Sequence, residues 1–90
     1  MKFLMIDGSL LSNKELSSPA KLIIAYLHNL GKAGKSYFGG LEYLSDQLGL
    51  DNQLIAKVIH DGCQRGLLKQ EADGLKLAHP IEFYYTYYRT

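Results

Sequence analysis

Between residues 41 and 66 the apolar positions follow a helical period twice, with a break between the two runs. Leu41, Leu44 and Leu48 recur at spacings of three and four, which places them on one face of a helix. Leu54, Ile55, Val58 and Ile59 make a second stripe, and Asn52, Gln53, Lys57, His60, Asp61, Gln64 and Arg65 face elsewhere. The break is Leu48-Gly49-Leu50-Asp51. Glycine there can take the positive φ that ends a helix, because it has no Cβ to clash. Asp51 can cap the next helix by accepting from a free backbone N–H. The pattern predicts helices over 41–48 and 51–66, joined by a tight turn.

Upstream, residues 2–6 form a short apolar stretch that suits an edge strand or an extended arm, and Asp7-Gly8-Ser9 reads as a turn. Residues 9–17 lack periodicity, with Leu10, Leu11 and Leu16 available to tuck under the next helix. That helix is predicted over 18–30, with Ser18 as N-cap, Pro19 in the first turn and Gly31 as the stop. Ala20, Ile23, Ile24, Leu27 and Leu30 form its main stripe; Leu22 and Tyr26 widen it. The extra flank calls for a cover from the N-terminal arm (1–17) or the C-terminal tail. Gly31-Lys32-Ala33-Gly34-Lys35 is a basic connector, and Ser36-Tyr37-Phe38 suits a short strand before Gly39-Gly40.

After Gly66 the period switches to two. Residues 68–72 and 75–79 flank Asp73-Gly74, a strong hairpin signal, so 67–79 is read as a hairpin. A two-residue turn at Asp73-Gly74 would set Ala72 opposite Leu75, Glu71 opposite Lys76 and Gln70 opposite Leu77. Leu68, Leu75 and Leu77 would then share a face with Gln70 and Ala72, leaving Lys69, Glu71 and Lys76 on the other. The tail, 80–90, is rich in rings: Phe83, Tyr84, Tyr85, Tyr87 and Tyr88. Periodicity does not choose between helix and strand there. So many rings need burial, either against the first helix or in a homodimer contact through those five residues.

Helix, glycine turn, polar-faced helix and then a hairpin is the order of a winged helix-turn-helix. The chain resembles the modules of that family found in bacterial, plasmid and phage replication initiators and small regulators. The resemblance runs over residues 16–79. It rests on Leu16-Ser17, Leu22 to Leu27, Tyr37-Phe38, Leu44-Ser45, Leu48-Gly49-Leu50, Ile55, Ile59 and Gly66-Leu67-Leu68. It implies one α+β, mainly α, domain: a three-helix core with a C-terminal hairpin wing. It also implies double-stranded DNA as partner, with transcription or replication control in the cytoplasm of a bacterium or for a mobile element. On that reading Asn52, Gln53 and Lys57 meet base edges, and His60, Gln64 and Arg65 lie further along the same helix. Lys69 and Lys76 on the hairpin, with Lys32 and Lys35 in the connector, supply phosphate contacts. Two positions depart from the family pattern: Gly62 replaces a large apolar residue, and Asp51 brings a carboxylate where a hydroxyl cap is usual.

Ninety residues allow one core, and a mixture of 47% hydrophobic and 21% charged residues is that of a folded domain. Net charge is only +1, a weak electrostatic advertisement for a nucleic-acid binder. Winged helices also serve as protein-binding modules, and a phage-borne inhibitor of a host protein is the competing reading. The apolar runs are too short for a membrane span or a secretory segment, and a single cysteine fits a reducing compartment. The connector lacks the full phosphate-loop spacing. His60 and Cys63 stand three apart without a second ligand pair, so Cys63 reads as a small filler beside Ile59 and no metal or other cofactor is expected. His28 and His79 read as incidental, and no catalytic constellation is present, so an enzyme is not expected.

Overall fold

The computed structural model describes residues 4–88; Lys2 and Phe3 of the apolar N-terminal stretch and Arg89 and Thr90 of the tail lie outside them. Five helices and one hairpin follow in order: α1 (Gly8–Leu11), α2 (Ser18–Lys32), α3 (Leu41–Leu48), α4 (Asn52–Gln64), β1 (Leu68–Glu71), β2 (Gly74–Leu77) and α5 (Ile81–Tyr85). The architecture is α+β and mainly helical, with an antiparallel hairpin after the helices.

The helix ends follow their capping chemistry. Ser17, not Ser18, caps α2: its hydroxyl accepts from the Ala20 N–H at 3.3 Å. The helix also runs through Gly31 to Lys32 and is capped at Ala33. One glycine costs a helix only about 1 kcal/mol, and Lys32 in the last turn suits the negative end of the helix dipole. Asp51 caps α4 by accepting from the Gln53 N–H at 3.0 Å. That helix closes at Arg65, short of 66, where the Leu67 N–H turns back to the Gly62 carbonyl at 2.8 Å. Residues 8–11, expected as a turn and an aperiodic stretch, form the short α1 because Asp7 accepts from the Ser9 N–H at 2.8 Å. Leu4 to Ile6 form no strand.

The hairpin register differs from the expected one by two residues. The pairs are Leu68–Leu77, Lys69–Lys76, Gln70–Leu75 and Glu71–Gly74, so the connecting residues are Ala72-Asp73. An even slip preserves the faces, while Ala72, Ala78 and His79 leave the ladder and Gly74 joins it. The cause is a third partner. Tyr37 pairs with Leu75 through two backbone hydrogen bonds, Tyr37 N–H to Leu75 O at 2.9 Å and Leu75 N–H to Tyr37 O at 2.8 Å. This brings the Tyr37 carbonyl against the Gly74 Cα, where any Cβ would collide with it, and Gly74 adopts φ 127°. Gly74 therefore serves as the first residue of β2, and the expected strand at 36–38 is a single bridge at Tyr37.

The core gathers on α2, whose residues Ile23 to Leu27 are all buried, and adds Leu10, Leu16, Tyr37, Leu44, Ile55, Leu67, Leu68, Leu75 and Tyr84. Tyr26 is covered by Tyr37, edge to face with ring centroids 5.9 Å apart. Arm and tail meet each other along the Ala25–Asn29 side of α2. Asn13 ties them together, its Nδ2 donating to the carbonyls of Tyr84 at 2.8 Å and Tyr87 at 3.1 Å. Tyr84 is fully buried, and its hydroxyl donates to the Leu67 carbonyl. Burial raises its pKa above the ordinary phenol value. That placement removes Tyr84 from the expected homodimer contact, because its ring belongs to its own chain's core. Tyr85 and Tyr87 are half-buried on the same core, which leaves Phe83 and Tyr88 as the exposed rings of the tail.

Gly62 is buried, and the space a side chain would claim is held by Leu68: an added Cβ would lie 2.8 Å from its Cδ1 and 2.9 Å from its Cγ. Gly62→Ala is therefore expected to forfeit the helix-propensity gain of about 1 kcal/mol, because Leu68 must leave a well-packed position. Thermal unfolding of the variant checks this, with a midpoint at or below that of the parent. A rise of more than about 4 °C would show that Leu68 yields freely.

Candidate nucleic-acid interface

The turn between α3 and α4 sets the angle at which α4 is displayed. Gly49 takes φ 66°, and its N–H donates to the Ser45 carbonyl at 2.8 Å. Leu50 N–H donates to the same carbonyl at 3.2 Å, and the Ser45 hydroxyl donates to the Leu50 carbonyl. With Leu44 and Ile55 fully buried between them, the pair is fixed and the far side of α4 faces water.

On that side Gln53, Lys57, His60 and Gln64 are exposed. Their spacing of four, three and four puts them on one stripe of the helix. Asn52 stands half-buried in the first turn. Arg65 points along the helix to Asp61, Nε to Oδ2 3.1 Å, and is less exposed than the others. Cys63, expected as a core filler beside Ile59, is exposed, since Leu68 already occupies the space under Gly62. Among the described residues no three metal-ligating side chains come together.

The lysines divide into two groups. Lys69 and Lys76 stand on the outer face of the hairpin among acids. Lys76 Nζ lies 3.1 Å from Glu71 and 2.9 Å from Asp73, and Lys69 lies 3.6 Å from Glu71. The hydrogen bond from Lys76 lowers the pKa of both carboxylates, and Asp73 and Glu71 together raise that of Lys76. Its charge is therefore answered within the hairpin. Lys32, the last residue of α2, and Lys35, on the loop after it, are exposed, and with Lys76, His28 and His79 they line a cleft of about 590 Å³. No residue of α4 lines that cleft. The loop is no phosphate cradle: the amides of Ala33, Gly34 and Lys35 are spent on the carbonyls of Leu30, Gly31 and Leu30.

Over α3, α4 and the hairpin, Lys57, Arg65, Lys69 and Lys76 face six acids: Glu42, Asp46, Asp51, Asp61, Glu71 and Asp73. This side is net acidic, and the small positive balance of the chain lies elsewhere. The pattern along the sequence missed a second feature, an apolar patch at the start of α3. Phe38 is 81% exposed, Tyr43 55% and Leu41 41%. Phe38 and Leu41 join Ile59, Gln70 and Leu75 around a groove of about 440 Å³. The available signal was an aromatic residue directly before Gly39-Gly40, where no strand partner continues.

Compared with protein-family models, with curated proteins and with solved structures, the chain matches none. Among the described residues no helix is long and apolar enough to cross a membrane.

Proposed function

We propose that the chain is a winged-helix protein that binds double-stranded DNA, with α3 and α4 as the helix-turn-helix and β1–β2 as the wing. The observation that carries this reading is the stripe Gln53, Lys57, His60 and Gln64. These are four side chains able to hydrogen-bond base edges, and the exposed carboxylate beside them, Asp61, is paired with Arg65. Glutamine can pair with adenine and lysine with guanine in the major groove, which admits one helix. The resemblance to replication-initiator and regulator modules supports a role in transcription or replication control, in the cytoplasm of a bacterium or for a mobile element. Lys69, with Lys32 and Lys35 at the margin, supplies the phosphate contacts; Lys76 contributes little because Glu71 and Asp73 hold it.

A second reading, a winged helix that binds protein, is favoured by the net acidic side and by the exposed Phe38, Leu41 and Tyr43. Mobility shift of a mixed-sequence duplex at about 50 and 200 mM salt separates the two. DNA binding predicts a shift at low salt with a shallow salt dependence. Lys57→Ala should weaken it through the loss of a base contact, and Lys69→Ala should lower the log–log slope by about 0.9, one phosphate's share. No shift at low salt, or one indifferent to Lys57, would leave the protein-binding reading.

A further inference from the structure

The bridge at Tyr37, laid beside the two-stranded hairpin, is open on its outer side. Both backbone groups of Tyr37 are turned inward to Leu75, so those of Ser36 and Phe38 alternate outward. Among the described residues no backbone hydrogen bond reaches the N–H or C=O of Phe38. Its ring is the most exposed of the large apolar side chains among the described residues. An exposed apolar edge invites pairing with another chain unless something covers it. Tyr37 is held by Leu75, by its hydroxyl donating to the Gly40 carbonyl at 2.6 Å, and by stacking on Tyr43 at 6.4 Å. Gly39 and Gly40 carry no side chains that could block an approaching strand, and Gly40 itself is extended (φ −87°, ψ 171°).

We propose that residues 36–40 pair with the same segment of a second copy, antiparallel about a twofold axis at Phe38. The two Phe38 residues then exchange backbone hydrogen bonds and the two hairpins join into one continuous sheet. Charge favours a second copy as the occupant. The segment has Lys35 at one end and Glu42 just past the other, and Asp73, hydrogen-bonded to Ser36, is itself paired with Lys76. Antiparallel pairing sets Ser36 opposite Gly40 and Lys35 opposite Leu41 of the partner copy, beside its Glu42. A parallel arrangement would set like ends together. The isologous contact closes on itself and limits assembly to a dimer. It leaves the Gln53–Gln64 stripe free, so it stands or falls independently of DNA binding. It is a different surface from the tail, where Tyr84 is buried within its own chain and Phe83 and Tyr88 remain exposed.

Sedimentation equilibrium of the full chain without DNA tests the proposal. Because the edge is short and the contact sits at the small end of interface sizes, the expected mass rises from 10.1 kDa toward twice that between about 10 and 500 μM. Phe38→Asp and Phe38→Ser should each remain monomeric throughout with the parent's thermal midpoint, since the ring makes no core contact. Lys35→Glu should weaken the dimer roughly tenfold, and Lys35→Glu with Glu42→Lys should restore it. A monomer across the whole range, a dimer indifferent to both Phe38 variants, or a charge swap that fails to restore association would each overturn the proposal.

Discussion

Tyr84→Ala should destabilise the protein by about 3–5 kcal/mol, the range for removing a large buried ring. Tyr84 is fully buried, closes the core between α2 and the hairpin, and ties its hydroxyl to the Leu67 carbonyl while accepting from the His79 N–H at 3.3 Å. A domain of ninety residues holds about 5–15 kcal/mol in all, so the variant should be near the limit of folding. Its thermal midpoint should fall by about 15 °C or more. Tyr84→Phe keeps the ring but leaves the Leu67 carbonyl with the Ala78 N–H as its donor and takes the hydroxyl acceptor from the His79 N–H, at about 1–2 kcal/mol. Tyr88→Ala, at an exposed ring four residues on, should change stability by no more than about 0.5 kcal/mol. Chemical denaturation of the three variants reads this order directly. Equal, small losses at Tyr84 and Tyr88 would mean that the tail does not belong to the core.

Gly74→Ala should cost about 2–4 kcal/mol, from backbone strain at φ 127° together with displacement of the Tyr37 carbonyl. The new Cβ cannot coexist with that carbonyl, so the two hydrogen bonds joining Tyr37 and Leu75 must lengthen or break. Amide exchange at Tyr37 and Leu75 should accelerate far more than at Ile23 in α2. Gly49→Ala provides the contrast. Gly49 also has positive φ, but a Cβ there meets nothing within 4 Å, so only the left-handed backbone penalty of about 1–2 kcal/mol applies. If the two substitutions cost the same, the close approach at Gly74 would not be what sets the hairpin register.

The elements whose signals are local were legible in the sequence. The two stripes around Gly49 and the Asp51 cap lie within a few residues of the bonds they make, and α3, the turn and the start of α4 followed from them. What escaped depended on partners remote in the chain. The hairpin register is set by Tyr37, more than thirty positions upstream of Leu75, and no turn dipeptide carries that information. Gly62 breaks the family pattern in isolation; it makes sense only with Leu68 folded back over it. The tail offered aromatics on every face of either element, and the choice was made by Asn13, whose amide reaches the Tyr84 and Tyr87 carbonyls. At the candidate site, the polar positions of α4 were readable from helical spacing. The pairing of Lys76 with two acids and the exposure of Phe38 required the register and the edge to be known first.

Amide chemical-shift mapping with a short duplex at low salt addresses the central claim, that the stripe on α4 meets DNA. The account predicts shifts concentrated at Asn52, Gln53, Lys57, His60 and Gln64, with smaller ones at Lys69 and Lys35, all fading as salt is raised. A spectrum in which α4 stays unmoved, or in which the changes gather at Phe38 to Tyr43, would contradict it.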